Sequence, residues 1–139
     1  MEKVTIDQLV KLLDAEVPWI NNLGLNIEHL AEGEARIRLP FNKNMLRPGG
    51  TIGGPTMMML ADTNMYITVL SAVGLVKLAV TSNFNINFLR RPNPTDLIAS
   101  GRVLKVGRRL AVVEVSIESQ GADGIVAHAT GTYSIPGKA

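Results

Sequence analysis

The spacing of apolar residues changes period several times along the chain, and each change marks an element. Leu9, Val10, Leu12 and Leu13 recur at helical spacing behind Thr5-Ile-Asp-Gln8, which has the form of a capping box. A short helix ending before Pro18 is predicted. Strands are predicted over 26–28 and 34–39. In the second, Ala35, Ile37 and Leu39 alternate with Glu34, Arg36 and Arg38, so one face is buried. Residues 41–54 form a polar stretch containing Pro and Gly, and long ordered loops in a compact domain are often functional. From Pro55 to about Ala72 the chain is apolar nearly all round, with Gly74 to end it, which describes a helix buried on every side. Strands over 78–89, 96–106, 110–119 and 125–135 follow, separated by Arg-Pro-Asn-Pro-Thr, Gly-Arg-Arg and Gly-Ala-Asp-Gly turns. The pattern therefore predicts an α+β fold, an antiparallel sheet wrapped around one long central helix.

One residue contradicts that buried helix. Asp62 stands in the middle of the apolar run, and an ionised carboxylate buried without partners is strongly disfavoured. Such a group finds partners, takes up a proton, or is kept for chemistry. The run is introduced by Gly49-Gly50-Thr51-Ile52-Gly53-Gly54. Glycines let a backbone approach a ligand closely, and a helix start presents free N–H groups. A carboxylate about two turns further along is expected near whatever those N–H groups bind. N–H donors for an oxyanion and a carboxylate to take a proton or attack are the parts of an acyl-transfer or hydrolysis site. The structural alternative is an aspartate tied to a backbone group or to a hydroxyl neighbour such as Tyr66.

Composition narrows the setting. With 139 residues, 46% hydrophobic and 19% charged, the chain is expected to be one domain, 1–139, with a real core. No stretch approaches the roughly 20 apolar residues of a membrane span, and the N-terminus lacks the basic-then-apolar layout of a signal peptide. There are no cysteines, so disulfides and thiol ligands are excluded. A cytoplasmic protein that does not engage membranes is the expectation. The net charge of +2 is unevenly spread: up to Pro40 there are four basic and seven acidic residues, and from Phe41 onward ten and five. The excess includes the doublets Arg90-Arg91 and Arg108-Arg109, which favour an anionic partner. Three Phe, two Tyr and one Trp offer few surfaces for stacking bases, so phosphates on a small ligand fit better than nucleic acid.

Three segments in order resemble the hotdog fold, and within it the PaaI-type acyl-CoA thioesterases. Gly50-Thr-Ile-Gly-Gly-Pro-Thr-Met-Met-Met-Leu-Ala-Asp62 aligns without a gap to that family's G-T-x-H-G-G-x-x-x-x-L-x-D segment. Thr81-Ser-Asn-Phe-Asn-Ile-Asn-Phe-Leu-Arg-Arg-Pro92 resembles the strand and turn after its helix. Val106-Gly-Arg-Arg109 and Ala127-His-Ala-Thr-Gly-Thr-Tyr133 resemble its final hairpin. The resemblance implies a homodimer or dimer of dimers, with active sites at the subunit interface and acyl-CoA as substrate. It assigns Asp62 as general base or nucleophile, the Gly54 N–H as oxyanion donor, and Thr81 as a hydroxyl that positions the attacking water. Arg47 occupies a loop position where relatives often carry Asn or Gln. With Gly53, Tyr66 and the doublets Arg90-Arg91 and Arg108-Arg109, it completes the expected substrate-binding set, the doublets for the CoA phosphates. Two departures stand out: the family histidine is Gly53 here, and Pro55 cannot donate an N–H.

No cofactor and no metal are expected: His29 and His128 lie on separate strand segments without a ligand pattern, and the glycines form no Walker or dinucleotide motif. Met57, Met58, Met59 and Met65 are expected in the core or lining an acyl pocket. Two competing readings are a non-catalytic acyl-CoA binding module and an enoyl-thioester hydratase. The second needs a histidine partner near the helix, and Gly53 and Ile67 stand where one would be sought.

Overall fold

The structure, a computed structural model, describes residues 4–136. Helix α1 (Ile6–Glu16) opens with the predicted capping box: Gln8 N–H donates to Thr5 Oγ1 at 3.2 Å and Thr5 N–H to Gln8 Oε1 at 2.9 Å. A second short helix, α2 (Pro18–Asn21), follows directly. The first helix ends before Pro18 as the sequence reading expects; the helix that Pro18 itself opens was not read from the sequence. A proline at the first helical position starts a helix as readily as it ends one. Strand β1 (Asn26–Ala31) is longer than the three residues predicted, because its pairing with β2 (Glu34–Leu39) carries it to the turn. The segment 41–53 is not plain loop: it holds a turn of 3-10 helix (Lys43–Met45) and a ribbon of β3 (Leu46–Arg47) and β4 (Thr51–Ile52).

The central helix α3 (Gly54–Val73) runs for 20 residues and ends at Gly74, whose φ of 100° suits glycine. Four long strands follow: β5 (Val80–Phe88), β6 (Leu97–Val106), β7 (Leu110–Ser119) and β8 (Ile125–Ser134). The main sheet is antiparallel with order β1-β2-β6-β7-β8-β5, leaving β1 and β5 as its edges. This sheet curls round α3, as the alternation and the apolar helix predict, in the hotdog arrangement that the resemblance implies. Leu60, Met65, Ile67 and Leu70 of the helix and Ile37, Leu97, Val113, Val115 and Ile117 of the strands are fully buried between them.

Two glycines set how closely helix and sheet approach. A Cβ at Gly101 of β6 would collide with Asn64 Oδ1 and Thr68 Oγ1, and one at Gly131 of β8 would lie 2.6 Å from Met65 Sδ. Over Gly101 the helix carries a polar stripe that its apolar appearance conceals. The buried Asn64 side-chain amide donates to the Ala35 and Ala99 carbonyls at 3.1 and 2.9 Å, and its Oδ1 accepts from Thr68 at 2.9 Å. Further along, Ser71 Oγ donates to the Thr68 carbonyl and accepts from Gly33 N–H. No buried side-chain polar atom among the described residues lacks a hydrogen-bond partner. These bonds fix the rotation of α3 about its axis, and so the direction in which Asp62 points.

Candidate active site

Asp62 is half-buried, on the flank of α3 turned toward β5 and β8. Thr81 O–H donates to its Oδ1 at 2.7 Å, and Tyr133 O–H donates to the same oxygen at 2.8 Å and approaches the Asp62 carbonyl oxygen at 3.0 Å. Oδ1 is therefore held by two hydroxyl donors, while Oδ2 has no donor among the described residues. Burial raises the Tyr133 phenol far above its ordinary value, so it stays protonated and donating in neutral and alkaline solution. Tyr66, the neighbour suggested as a structural tether, does not bond the carboxylate. Its O–H donates to the Lys77 carbonyl at 2.9 Å, and its ring lies 6.3 Å from that of Tyr133.

A bulge brings Thr81 to this place. Asn83, Asn85 and Asn87 alternate outward on β5, and an unbroken strand would turn Thr81 outward with them. The pairing of β5 with β8 slips between Thr81 and Asn83, so Thr81 lies opposite Tyr133 on the face that meets the helix. Tyr133 is the residue the sequence reading left out of the site. Its signal was present: Ala127, Ala129, Gly131 and Tyr133 share one face of β8, small residues under the helix and then one tyrosine. A buried phenol requires a hydrogen-bond partner, and α3 offers it a carboxylate.

Asp62 lines a cleft of about 330 Å³ whose walls include Val17, Trp19, Ile20, Met59, Tyr66 and Tyr133. Of the four methionines of interest, Met59 faces this cleft, Met57 and Met65 are buried in the core, and Met58 is 43% exposed.

The glycine segment sits at the start of the helix, and Asp62 at its middle. Gly54 is the first residue of α3, so its N–H has no carbonyl one turn earlier in the helix to bond, and a Cβ there would lie 3.2 Å from the Phe88 ring at the far end of β5. Gly53 N–H donates to the Met45 carbonyl at 3.3 Å. The stem of Arg47 lies across Gly53: a Cβ at that position would be 2.5 Å from Arg47 Cδ and 2.8 Å from Cγ. Arg47 thus occupies the side on which a residue larger than glycine would begin. The expectation that Asp62 lies near the ligand of the helix-start N–H groups fails within one chain. Eight residues of α-helix separate Gly54 from Asp62, about 12 Å along the axis.

The arginine doublets are also apart. Arg90-Arg91 follow β5 and Arg108-Arg109 follow β6, so the ten residues of β6 stand between the two turns, about 33 Å. Arg90 packs against the β7–β8 turn, donating to the Asp123 carbonyl at 3.2 Å. Neither histidine is near Asp62: His29 lies 3.7 Å from Glu34, and His128 3.2 Å from Glu114 across β7 and β8. Among the described residues no group of three or more His, Cys, Asp and Glu could hold a metal ion, and no helix is long and apolar enough to cross a membrane.

A sheet curled round one helix, with a carboxylate held by hydroxyls beside a small cleft, defines a hotdog-fold protein of the thioesterase kind. Comparison with known proteins agrees. The thioesterase superfamily model matches residues 49–125, and the chain belongs to that superfamily. A presumed thioesterase from Silicibacter sp. TM1040 has a crystal structure that superposes with a TM-score of 0.87 at 42% identity, over 98% of this chain and 95% of that one. The phenylacetic acid degradation protein PaaI of Thermus thermophilus superposes with a TM-score of 0.76 at 28% identity, over 86% of this chain and 99% of its own. A presumed esterase of Saccharolobus solfataricus is 31% identical over 93% of this chain and 84% of its own length.

Proposed function

We propose that the protein is an acyl-CoA thioesterase, hydrolysing a thioester to a free acid and CoA with Asp62 as its base or nucleophile. The observation that carries this reading is the one-sided binding of the Asp62 carboxylate. Thr81 and Tyr133 saturate Oδ1 and leave Oδ2 for chemistry. Water adds to the thioester carbonyl as Oδ2 takes its proton, or Oδ2 itself adds and water later cleaves the anhydride. In either route the C–S bond breaks and CoA leaves as the thiol. An N–H donor is needed for the oxyanion, and Gly54 of the same chain is too far from Asp62 to give it.

A second copy resolves this. The outer edge of β5 pairs with no strand among the described residues, with the Asp62 partner Thr81 near its start and the Gly54 neighbour Phe88 at its end. Two such edges paired antiparallel about a two-fold axis near Asn85 place each Thr81 end beside the partner's Phe88 end. Each Asp62 then works with the partner's Gly54, and each Arg90-Arg91 approaches the partner's Arg108-Arg109, where CoA phosphates would bind. In this arrangement Arg47 and Gly53 shape the wall beside the oxyanion donor.

The test is thiol release from a panel of short, long and aromatic acyl-CoAs; the chain, lacking cysteine, adds no thiol background. Turnover is expected on part of the panel, falling by about 100-fold or more in Asp62→Asn, the scale of a lost general base. Activity that survives in Asp62→Asn would remove the mechanism. Tight binding of acyl-CoA without turnover would make the protein a binding module.

A further inference from the structure

Lys77 lines two separate spaces. One is the Asp62 cleft of about 330 Å³; the other is a groove of about 750 Å³ whose walls include Val73, Leu75, Leu78 and Ile135 together with Arg108 and Arg109. The residue is fixed from two sides. Its carbonyl accepts from Tyr66 O–H at 2.9 Å, and its Nζ lies 3.1 Å from Glu16 Oε1 at the end of α1. This ion pair links the end of α1 to the α3–β5 connection, which Tyr66, about one helical turn past Asp62, also holds.

Building on the thioesterase reading, we infer that Lys77, anchored by Glu16 and Tyr66, is a partition between the cleft and the groove and sets the length of the acyl group. With the partition in place the acyl group is confined to the cleft. A cavity of about 150 Å³ holds a benzene ring, so about 330 Å³ takes a ring on a short linker or a short chain. A long chain has to pass Lys77 into the groove, where Val73, Leu75, Leu78 and Ile135 offer it apolar surface. CoA phosphates would neutralise the charges of Lys77, Arg108 and Arg109 that share its walls. The charges at the cleft also select: Asp62 and Glu16 against the single cation Lys77 disfavour an acyl group ending in a second carboxylate. Both bridge partners are substantially exposed, 57% for Lys77 and 42% for Glu16, so their replacement leaves the core untouched.

The experiment reads binding rather than turnover. Trp19 is the one tryptophan of the chain and borders the cleft, so its fluorescence reports occupancy. Non-hydrolysable thioether analogues of acyl-CoA, from butanoyl through phenylacetyl to dodecanoyl, are titrated into the natural protein, Lys77→Ala, and the exchanged pair Glu16→Lys with Lys77→Glu. The natural protein should bind the short and ring-bearing analogues best. Lys77→Ala should bind the dodecanoyl analogue about tenfold tighter than the natural protein does, the scale of a relieved misfit in an apolar pocket, with the butanoyl affinity unchanged. The exchanged pair should restore the short-chain preference. The same length profile in all three proteins would overturn the partition, whether or not the protein hydrolyses thioesters. A shifted profile without thiol release from any acyl-CoA would leave the partition standing and overturn the hydrolase reading instead.

Discussion

Asp62 was legible in the sequence because charge is rare inside an apolar helix, but its partners were not. Tyr66 lies four residues further on the same helix and was the local choice of tether. The bonds come instead from Thr81 and Tyr133, 19 and 71 residues away. Tyr133 is a positioning residue: it holds Oδ1 and thereby presents Oδ2. Removing its hydroxyl in Tyr133→Phe takes one of two donors from a charged acceptor, a bond of about 1.5–3 kcal/mol. We expect kcat to fall by about 10- to 100-fold while KM for the acyl-CoA changes little, as steady-state thiol release will show. Because burial keeps the phenol protonated through the alkaline range, Tyr133 contributes no alkaline limb to the rate, and that limb should keep its position in this variant. A Tyr133→Phe enzyme with natural kcat would show that Thr81 alone suffices to orient the carboxylate.

At the scale of elements, the strand alternation and the apolar run from Pro55 were enough to place the sheet and α3. The bulge at Ser82 and the ribbon before the helix were not legible. A one-residue slip in β5 depends on its pairing with β8, and a two-residue strand carries no period to read. The polar stripe of α3 was hidden for another reason. Asn64, Thr68 and Ser71 are few among apolar neighbours; only the folded sheet gives Asn64 the Ala35 and Ala99 carbonyls and only the β1–β2 turn gives Ser71 the Gly33 N–H, while Thr68 bonds Asn64 on the same helix. Asn64→Leu keeps the side-chain size, removes the bonds to the Ala35 and Ala99 carbonyls and leaves the buried Thr68 hydroxyl without its acceptor. We expect it to lower stability by about 3 kcal/mol, the cost of leaving buried polar groups unpaired, measured by urea unfolding. An Asn64→Leu protein as stable as the natural one would mean that the helix setting is fixed by packing over Gly101 and Gly131 alone.

For the whole molecule, the decisive quantity is the rise of about 12 Å along α3 between Gly54 and Asp62, too long for one chain to supply both the oxyanion donor and the carboxylate of the proposed site. The two-fold pairing of β5 edges makes a direct prediction. With no native cysteine, Asn85→Cys introduces one thiol per chain close to the axis. Mild oxidation should convert the variant to a covalent dimer, since paired strands bring facing Cα atoms within disulfide range. A dimer in solution that resists cross-linking at position 85 would refute this pairing.

Local and periodic features were written into the residues themselves: the elements, the sheet-on-helix architecture, and the oddity of a carboxylate in an apolar run. These follow from side-chain patterning, which acts within a few residues. Folding added which hydroxyls hold Asp62, that the arginine doublets stand at opposite ends of β6, and that Lys77 lies between a cleft and a groove. Each of these depends on contacts between residues distant in the chain, set by strand register and helix rotation, and no local pattern encodes such contacts.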